Sequence, residues 1–279
     1  VMDPNTLATL LILTSAALHA SWNAVVKRQP NKLSIMVFIS VYGGLLYIPF
    51  APFFPLPEPW MWGYIAASVA VHLCYQLALT HALEVGELTF VYPIARGLGP
   101  LLVALFSLLF LEGSLAPLEF AGVLILVCGI FLTVSGRMDS RKGLSAALIT
   151  GCMIATYTLI DGFAVKRVEN PVTFIIWGAL SFAPVFATYI GIVQGPAFLI
   201  NSLRVWKQGL PAAVAAQGGY AIALTALSLG SIGEVAALRE TSIIFATLIG
   251  ALWLKEKVHH RQIVAVLLIA LGAVSLKLT

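Results

Sequence analysis

Four ionisable side chains interrupt stretches that are otherwise free of charge: Arg96, Asp161, Arg239 and Glu240. Their types point to two kinds of chemistry. A guanidinium group is a fixed cation whose planar fork of donors fits a carboxylate or a phosphate-like anion. A carboxyl group that loses and regains a proton is what a proton-coupled carrier needs. A charge at the centre of a bilayer costs about 2.5–3.5 kcal/mol on insertion scales, so groups placed there need a partner, water or a function. Arg96 and Glu240 have two readings: an ion pair locking two helices together, or the lining of a wet cavity that meets a charged solute. Arg239 adds a cation beyond that pair.

Other polar residues recur at helical spacing. Asp161 lies four residues from Tyr157 and three from Thr158, which puts all three on one face of a helix. Asp161 is read either as a proton carrier or as an acid held by its neighbours. Ser15, His19 and Asn23 follow one another at intervals of four with Trp22 beside them, and His72, Gln76 and Thr80 repeat the interval with Tyr75 adjacent. Such stripes either glue helices together or contact a solute. Trp22, Tyr75, Tyr92, Tyr157 and Tyr220 form a candidate aromatic wall able to hold an ammonium group by cation–π attraction. Packing or a place in the interfacial belt accounts for each ring equally well. Glu84, Glu87, Glu112 and Glu256 stand at turns or span ends and read as solvated caps. His259 and His260 beside Arg261 read as a polar loop, not a metal site.

These residues need a scaffold, and the composition names its kind. The chain has 279 residues, 60% hydrophobic and 10% charged, against about 25% charged in a soluble domain. Ten stretches of 14 or more residues lack Asp, Glu, Lys and Arg. At about 20 residues per membrane-spanning helix, they predict spans at 6–26, 33–50, 60–83, 88–111, 119–135, 144–165, 171–193, 208–229, 234–254 and 261–277. The spans around Arg96, Asp161, Arg239 and Glu240 reach full length only by taking those charges inside. Membrane strands would alternate apolar and polar residues, whereas 37–49 and 264–276 are apolar all round. Pro49, Pro52, Pro55, Pro57 and Pro59 predict a stiff extended connector, and 195–207 is the longest loop, read as a short amphipathic segment lying along the interface. Cys74, Cys128 and Cys152 fall inside apolar runs and read as small core residues. No Lys or Arg precedes Lys27, so the first apolar run is read as a retained span, not a cleaved leader.

Net charge is +4, but its distribution matters more. The loops after spans one, five, seven and nine carry eleven Lys and Arg, against three on the other side. The positive-inside rule then places both termini outside the cytoplasm. No basic run is interleaved with aromatics on a polar face, so nucleic acid is not an expected partner. The chain also repeats itself. Ala24-Val25-Val26-Lys27-Arg28 matches Phe163-Ala164-Val165-Lys166-Arg167, and Leu109-Phe110-Leu111-Glu112 matches Trp253-Leu254-Lys255-Glu256. Five spans per half is odd, so the halves must insert upside down relative to each other, an arrangement common in secondary transporters. Anchoring the repeat on Glu112 and Glu256 sets Arg96 opposite Glu240.

The segment Val91-Tyr92-Pro93-Ile94-Ala95-Arg96-Gly97-Leu98-Gly99-Pro100-Leu101-Leu102, followed by Glu112, resembles the fourth helix of EamA-type permeases of the drug/metabolite transporter superfamily. Val235-Ala236-Ala237-Leu238-Arg239-Glu240-Thr241-Ser242, ending in Lys255-Glu256, resembles their ninth. Trp22-Asn23 and Tyr157-Thr158-Leu159-Ile160-Asp161-Gly162 are similar to spans one and six. The resemblance covers essentially the whole chain. It implies an all-α membrane protein of ten transmembrane helices in two inverted five-helix repeats, 1–137 and 138–279, forming one integral domain. It also implies a central cavity and alternating access without ATP. It places the termini in the cytoplasm, so both orientations stand.

The expected function is secondary transport of a small polar, charged or zwitterionic metabolite, such as an amino acid or a phosphonate-like compound, across the cytoplasmic (inner) membrane. Trp22, Asn23, Gln76, Tyr92, Arg96, Tyr157, Tyr220, Arg239, Glu240 and Ser242 are the expected solute contacts. Asp161 and Glu240 are the expected ion-coupling groups. Expected partners are the solute, the lipid bilayer and protons, with no cofactor or metal, in a monomer or homodimer. The alternatives are an intramembrane enzyme, against which HExxH, a P-loop and a nucleophile with its base are all absent from the sequence, and a membrane sensor or scaffold, against which no soluble domain is appended.

Overall fold

The structure is a computed structural model that describes residues 4–107, 110, 117–135, 143–229, 239 and 241–275. All regular secondary structure among the described residues is helical. The helices are α1 (Pro4–Arg28), α2 (Lys32–Val37), α3 (Pro59–Val85), α4 (Leu88–Ser107), α5 (Pro117–Ser135), α6 (Leu144–Val165), α7 (Pro171–Gln194), α8 (Pro196–Ser202), α9 (Trp206–Leu229), α10 (Ser242–Leu252) and α11 (His260–Ser275). Five described segments are long and apolar enough to cross a membrane, and five shorter apolar helices accompany them.

Local chemistry sets the helix starts. Proline at the first helical position opens α3 and α7, where its missing N–H costs nothing. Asn31 and Asn170 cap α2 and α7 by accepting from the backbone N–H of Ser34 and Val172. The second span does not stay α-helical. A π-helical turn at Phe38–Tyr42 and a 3-10 turn at Leu45–Tyr47 continue α2. The proline-rich connector is less extended than its composition predicts. A 3-10 turn at Ala51–Phe53 occupies its middle, and Phe54 and Glu58 are extended. The φ that proline fixes suits either conformation. The longest connection, expected to lie along the interface as a short amphipathic segment, is mostly wound, as α8, a 3-10 turn at Leu203–Val205 and the start of α9. Gly195, at φ 83°, makes the bend between α7 and α8 that a side chain would resist.

The helices pair in a regular pattern. α1 packs on α9 and on α10, α3 packs on α6 and on α7, α4 packs on α6, and α5 packs on α11. Small residues bring α5 and α11 into close contact. A Cβ on Gly272 would lie 2.6 Å from the backbone nitrogen of Leu126, and one on Gly129 would lie 2.7 Å from Ile269 Cγ1. Backbones in a membrane bundle approach this closely only where side chains are absent. Cys74, Cys128 and Cys152 are exposed on the outer surface and are not core residues. In a bundle whose solvent is lipid, an apolar run carries no signal for facing inward, which is why their placement in the core was mistaken.

Candidate functional site

A cavity lies inside the bundle where α1, the π-helical turn, α3, α6, α7 and α9 face one another. Its volume is about 90 Å³ for the centres of water-sized spheres. At about 10–15 Å³ per water molecule on that measure, it holds several waters or a compact solute.

Each wall comes from residues one turn apart. α1 supplies His19 and Trp22. The Trp22 Nε1–H donates to His19 Nδ1 at 3.3 Å, with the rings edge to face. α3 supplies Ser68, His72, Tyr75 and Gln76. His72 Nδ1 donates to the Ser68 carbonyl at 2.9 Å, with the Ser68 hydroxyl 3.2 Å away. The His72 ring stacks on Tyr157 of α6 at 4.4 Å and meets Tyr220 of α9 edge-on at 5.5 Å. Phe182 closes the α7 side, and Gln217 of α9 donates from Nε2 to the carbonyl of Ile39 in the π-helical turn at 3.2 Å. Arg239 completes the wall and, among the described residues, is the only Lys or Arg in the lining. Among the described residues no Asp or Glu lines the cavity.

Asp161 stands behind this wall. It is fully buried, and its Oδ2 accepts the Tyr220 hydroxyl proton at 2.9 Å. Among the described residues its buried Oδ1 accepts no hydrogen bond of ordinary geometry. Arg96 is also buried, and its Nη2 donates to the main-chain carbonyl of Arg239 at 3.1 Å. The side chain of Arg96 therefore holds the backbone that carries the cavity's cation.

The expected contacts divide into two shells around the cavity. Trp22, Gln76, Tyr157, Tyr220 and Arg239 line it, together with His19, His72 and Tyr75 from the polar stripes. Asn23, Tyr92, Arg96, Ser242 and Asp161 are buried but do not form its surface. Asn23 donates back to the His19 carbonyl at 2.8 Å, and the ring of Tyr92 lies 6.1 Å from that of His19. Glu240 and Glu112 lie outside the described residues. Two other stripe residues bond to backbone: Ser15 donates to the Gly219 carbonyl at 2.6 Å and Thr80 to the Gln76 carbonyl at 2.6 Å.

Ser68, Gln217 and Phe182 are lining residues that sequence reasoning passed over. Ser68 extends the α3 stripe by one more interval of four, and Gln217 sits three residues before Tyr220. Both signals were present in the spacing. The carbonyl of Ile39 has none, because a π turn leaves no mark in residue types.

Comparison with known proteins agrees with the fold. The model of the EamA-like transporter family matches residues 6–135 and again 141–277. One solved structure, described only as "Crystal structure of protein", is similar over 97% of both chains, with 20% sequence identity and a TM-score of 0.66. That likeness concerns the fold alone.

Proposed function

The chain belongs to the EamA-like transporter family, and from that premise we propose that the aromatic-walled cavity is the solute site of a secondary carrier. The carrier works without ATP and moves a small polar, charged or zwitterionic metabolite, such as an amino acid or a phosphonate-like compound, across the cytoplasmic membrane. The observation that carries this reading is Arg239 in the wall of a cavity inside the bundle whose lining also includes Trp22, Tyr75, Tyr157 and Tyr220. A guanidinium binds a carboxylate or phosphonate oxygen through paired donors, and the rings give an ammonium a π face.

The proposed architecture is ten spans in two inverted five-helix halves, with the boundary near residue 137. Helix pairing supports it. If α1–α5 correspond in order to α6, α7, α9, α10 and α11, the contact of α1 with α9 becomes that of α6 with α3. The contact of α4 with α6 becomes that of α10 with α1, and the α5 and α11 contact maps onto itself. Rocking of one half against the other would then expose the cavity to each side in turn. Asp161 is the proposed proton carrier, because it combines a fully buried carboxyl group with a link through Tyr220 to the cavity wall. Glu240 shares that role in the proposal by its place beside Arg239.

Purified protein in sealed liposomes tests the reading. A panel of amino acids, phosphonates and amines is first screened for thermal stabilisation, since a ligand that binds the folded state raises its melting temperature. The best stabiliser is then offered as a radiolabelled solute. Saturable accumulation without ATP, lost in Arg239→Gln, is the expected result. Accumulation undiminished in that variant would remove Arg239 from the site.

A further inference from the structure

A second polar cluster occupies one end of the bundle, away from the cavity. Glu256, between α10 and α11, accepts hydrogen bonds from the backbone N–H of Leu88 at 3.0 Å and of Thr89 at 2.9 Å, where α4 begins. Lys27, in the last turn of α1, donates to the carbonyls of Leu83 at 3.0 Å and Gly86 at 2.5 Å, where α3 ends. One acid thus braces the N-terminus of a helix and one base braces the C-terminus of the helix before it, each with the sign that complements the helix dipole. Beside them the Arg28 guanidinium lies over the Trp253 ring, 4.8 Å from its centroid. Glu256 and Trp253 come from the second half of the chain, and the groups they touch come from the first.

This cluster closes a face of the bundle. Lys27 lies eight residues beyond His19 on α1, about 12 Å at 1.5 Å per residue. Between the cavity and this end, Val26, Leu83, Leu88, Phe90, Val91 and Ile243 are buried in one continuous apolar cluster. In a carrier of the proposed kind, a solute would reach this end only by separation of the helices on either side. Separation would pull the α10–α11 loop from the start of α4, and two backbone N–H groups would lose their carboxylate.

We propose that Glu256 and Lys27 are positioning residues of the transport cycle: Glu256 joins the α3–α4 turn to the α10–α11 loop, Lys27 holds that turn against α1, and together, as a latch, they keep this face shut until the cavity opens toward it. The latch rests on the carrier reading for the cycle it serves, but its own test needs no solute. Cys74, Cys128 and Cys152 are replaced by alanine, and Ala216→Cys puts one thiol in the cavity wall. A membrane-impermeant charged maleimide is then applied to sealed vesicles of each orientation.

Labelling from the latch face is expected to be slow in the parent and about tenfold faster in Glu256→Gln or Lys27→Gln, the change that loss of a charge-assisted hydrogen bond brings. Lys27→Arg, which keeps two donors in reach of both carbonyls, is expected to restore slow labelling. If Glu256→Gln does not yield a folded protein, Lys27→Gln and Lys27→Arg give the same comparison. Unchanged rates from the latch face in folded variants, with the thiol still labelled from the opposite face, would overturn the latch and leave the carrier reading standing. No labelling from either face in any variant would defeat both.

Discussion

The Tyr220 hydroxyl donates to Asp161 Oδ2 across the contact between α9 and α6, while the Tyr220 ring forms part of the cavity wall. One side chain therefore touches both the space where a solute would sit and the buried carboxyl group behind it. A solute pressing on the ring, or a proton arriving at the carboxyl group, disturbs the same hydrogen bond. In a coupled carrier such a link lets proton and solute occupancy depend on each other. Asp161→Asn keeps the shape of the acid and removes its charge change. Uptake by that variant in proteoliposomes is expected to lose its dependence on external pH. A profile that still follows the parent's would assign the coupling proton to another group.

Tyr220→Phe separates the link from the acid. It leaves Asp161 Oδ2 without its tyrosine donor in a fully buried site, and a buried polar group left unsatisfied costs about 1–3 kcal/mol. A fall in melting temperature in detergent is expected, together with a shifted pH profile of uptake. Asp161→Asn in the same background tests the connection. The pH shift caused by Tyr220→Phe should disappear when the acid is already gone.

Arg96 and Arg239 are one residue type in two proposed roles, and substitution should separate them. Arg239→Gln is expected to lower uptake of an anionic or zwitterionic solute by at least about a hundredfold with little change in melting temperature, in line with charged pairs worth several kcal/mol in buried sites. Arg96→Leu removes the donor that holds the Arg239 carbonyl, so it is expected to lower both uptake and thermal stability. Thermal unfolding and solute binding measured on the same preparations decide the matter. Equal losses of stability in both variants would make Arg239 a structural residue too.

Much of the scaffold was readable because lipid imposes one strong rule, that an unbroken apolar stretch closes its backbone hydrogen bonds within a helix. The stretch expected at 144–165 is observed as Leu144–Val165, and that expected at 119–135 as Pro117–Ser135. The segment expected to be a loop before α9 winds into helix because Pro196 acts as a helix starter, a role composition does not distinguish from a break. Within the cavity, Trp22, Gln76, Tyr157 and Tyr220 stood out because a large polar or aromatic residue is rare inside a span. Ser68 stood among small residues that pack helices anyway. Glu256 was read as a solvated cap, and its partners turned out to be backbone N–H groups of Leu88 and Thr89. Backbone partners leave no trace in residue types, so only folding reveals them.

The α5 and α11 contact offers a test of packing apart from chemistry. A Cβ on Gly272 would fall 2.7 Å from the Gly122 carbonyl oxygen as well as on the Leu126 backbone nitrogen. Backbone cannot swing aside as a flexible side chain does, so Gly272→Val should force the helices apart. Overpacking of this kind costs about 1–3 kcal/mol. Thermal unfolding is expected to shift downward, while binding of a solute to the remaining folded protein stays near parental affinity, because the cavity lies on other helices. Full stability in Gly272→Val would mean that the two helices do not approach as closely as described.

Lys255 tests the latch by backbone shape instead of charge. It is the one described non-glycine residue with positive φ, at 57°, immediately before Glu256. That left-handed turn aims the Glu256 carboxylate at the start of α4, and a glycine adopts it without cost, whereas a β-branched residue resists it. Lys255→Gly removes the lysine charge but preserves the turn, so slow labelling of the cavity thiol from the latch face is expected to persist. Lys255→Val removes the same charge and opposes the turn, so labelling should speed up toward the rate of Glu256→Gln. The two variants have the same net charge, and any difference between them comes from the path of the chain into Glu256. Equal rates in both would show that the position of the carboxylate does not depend on this turn.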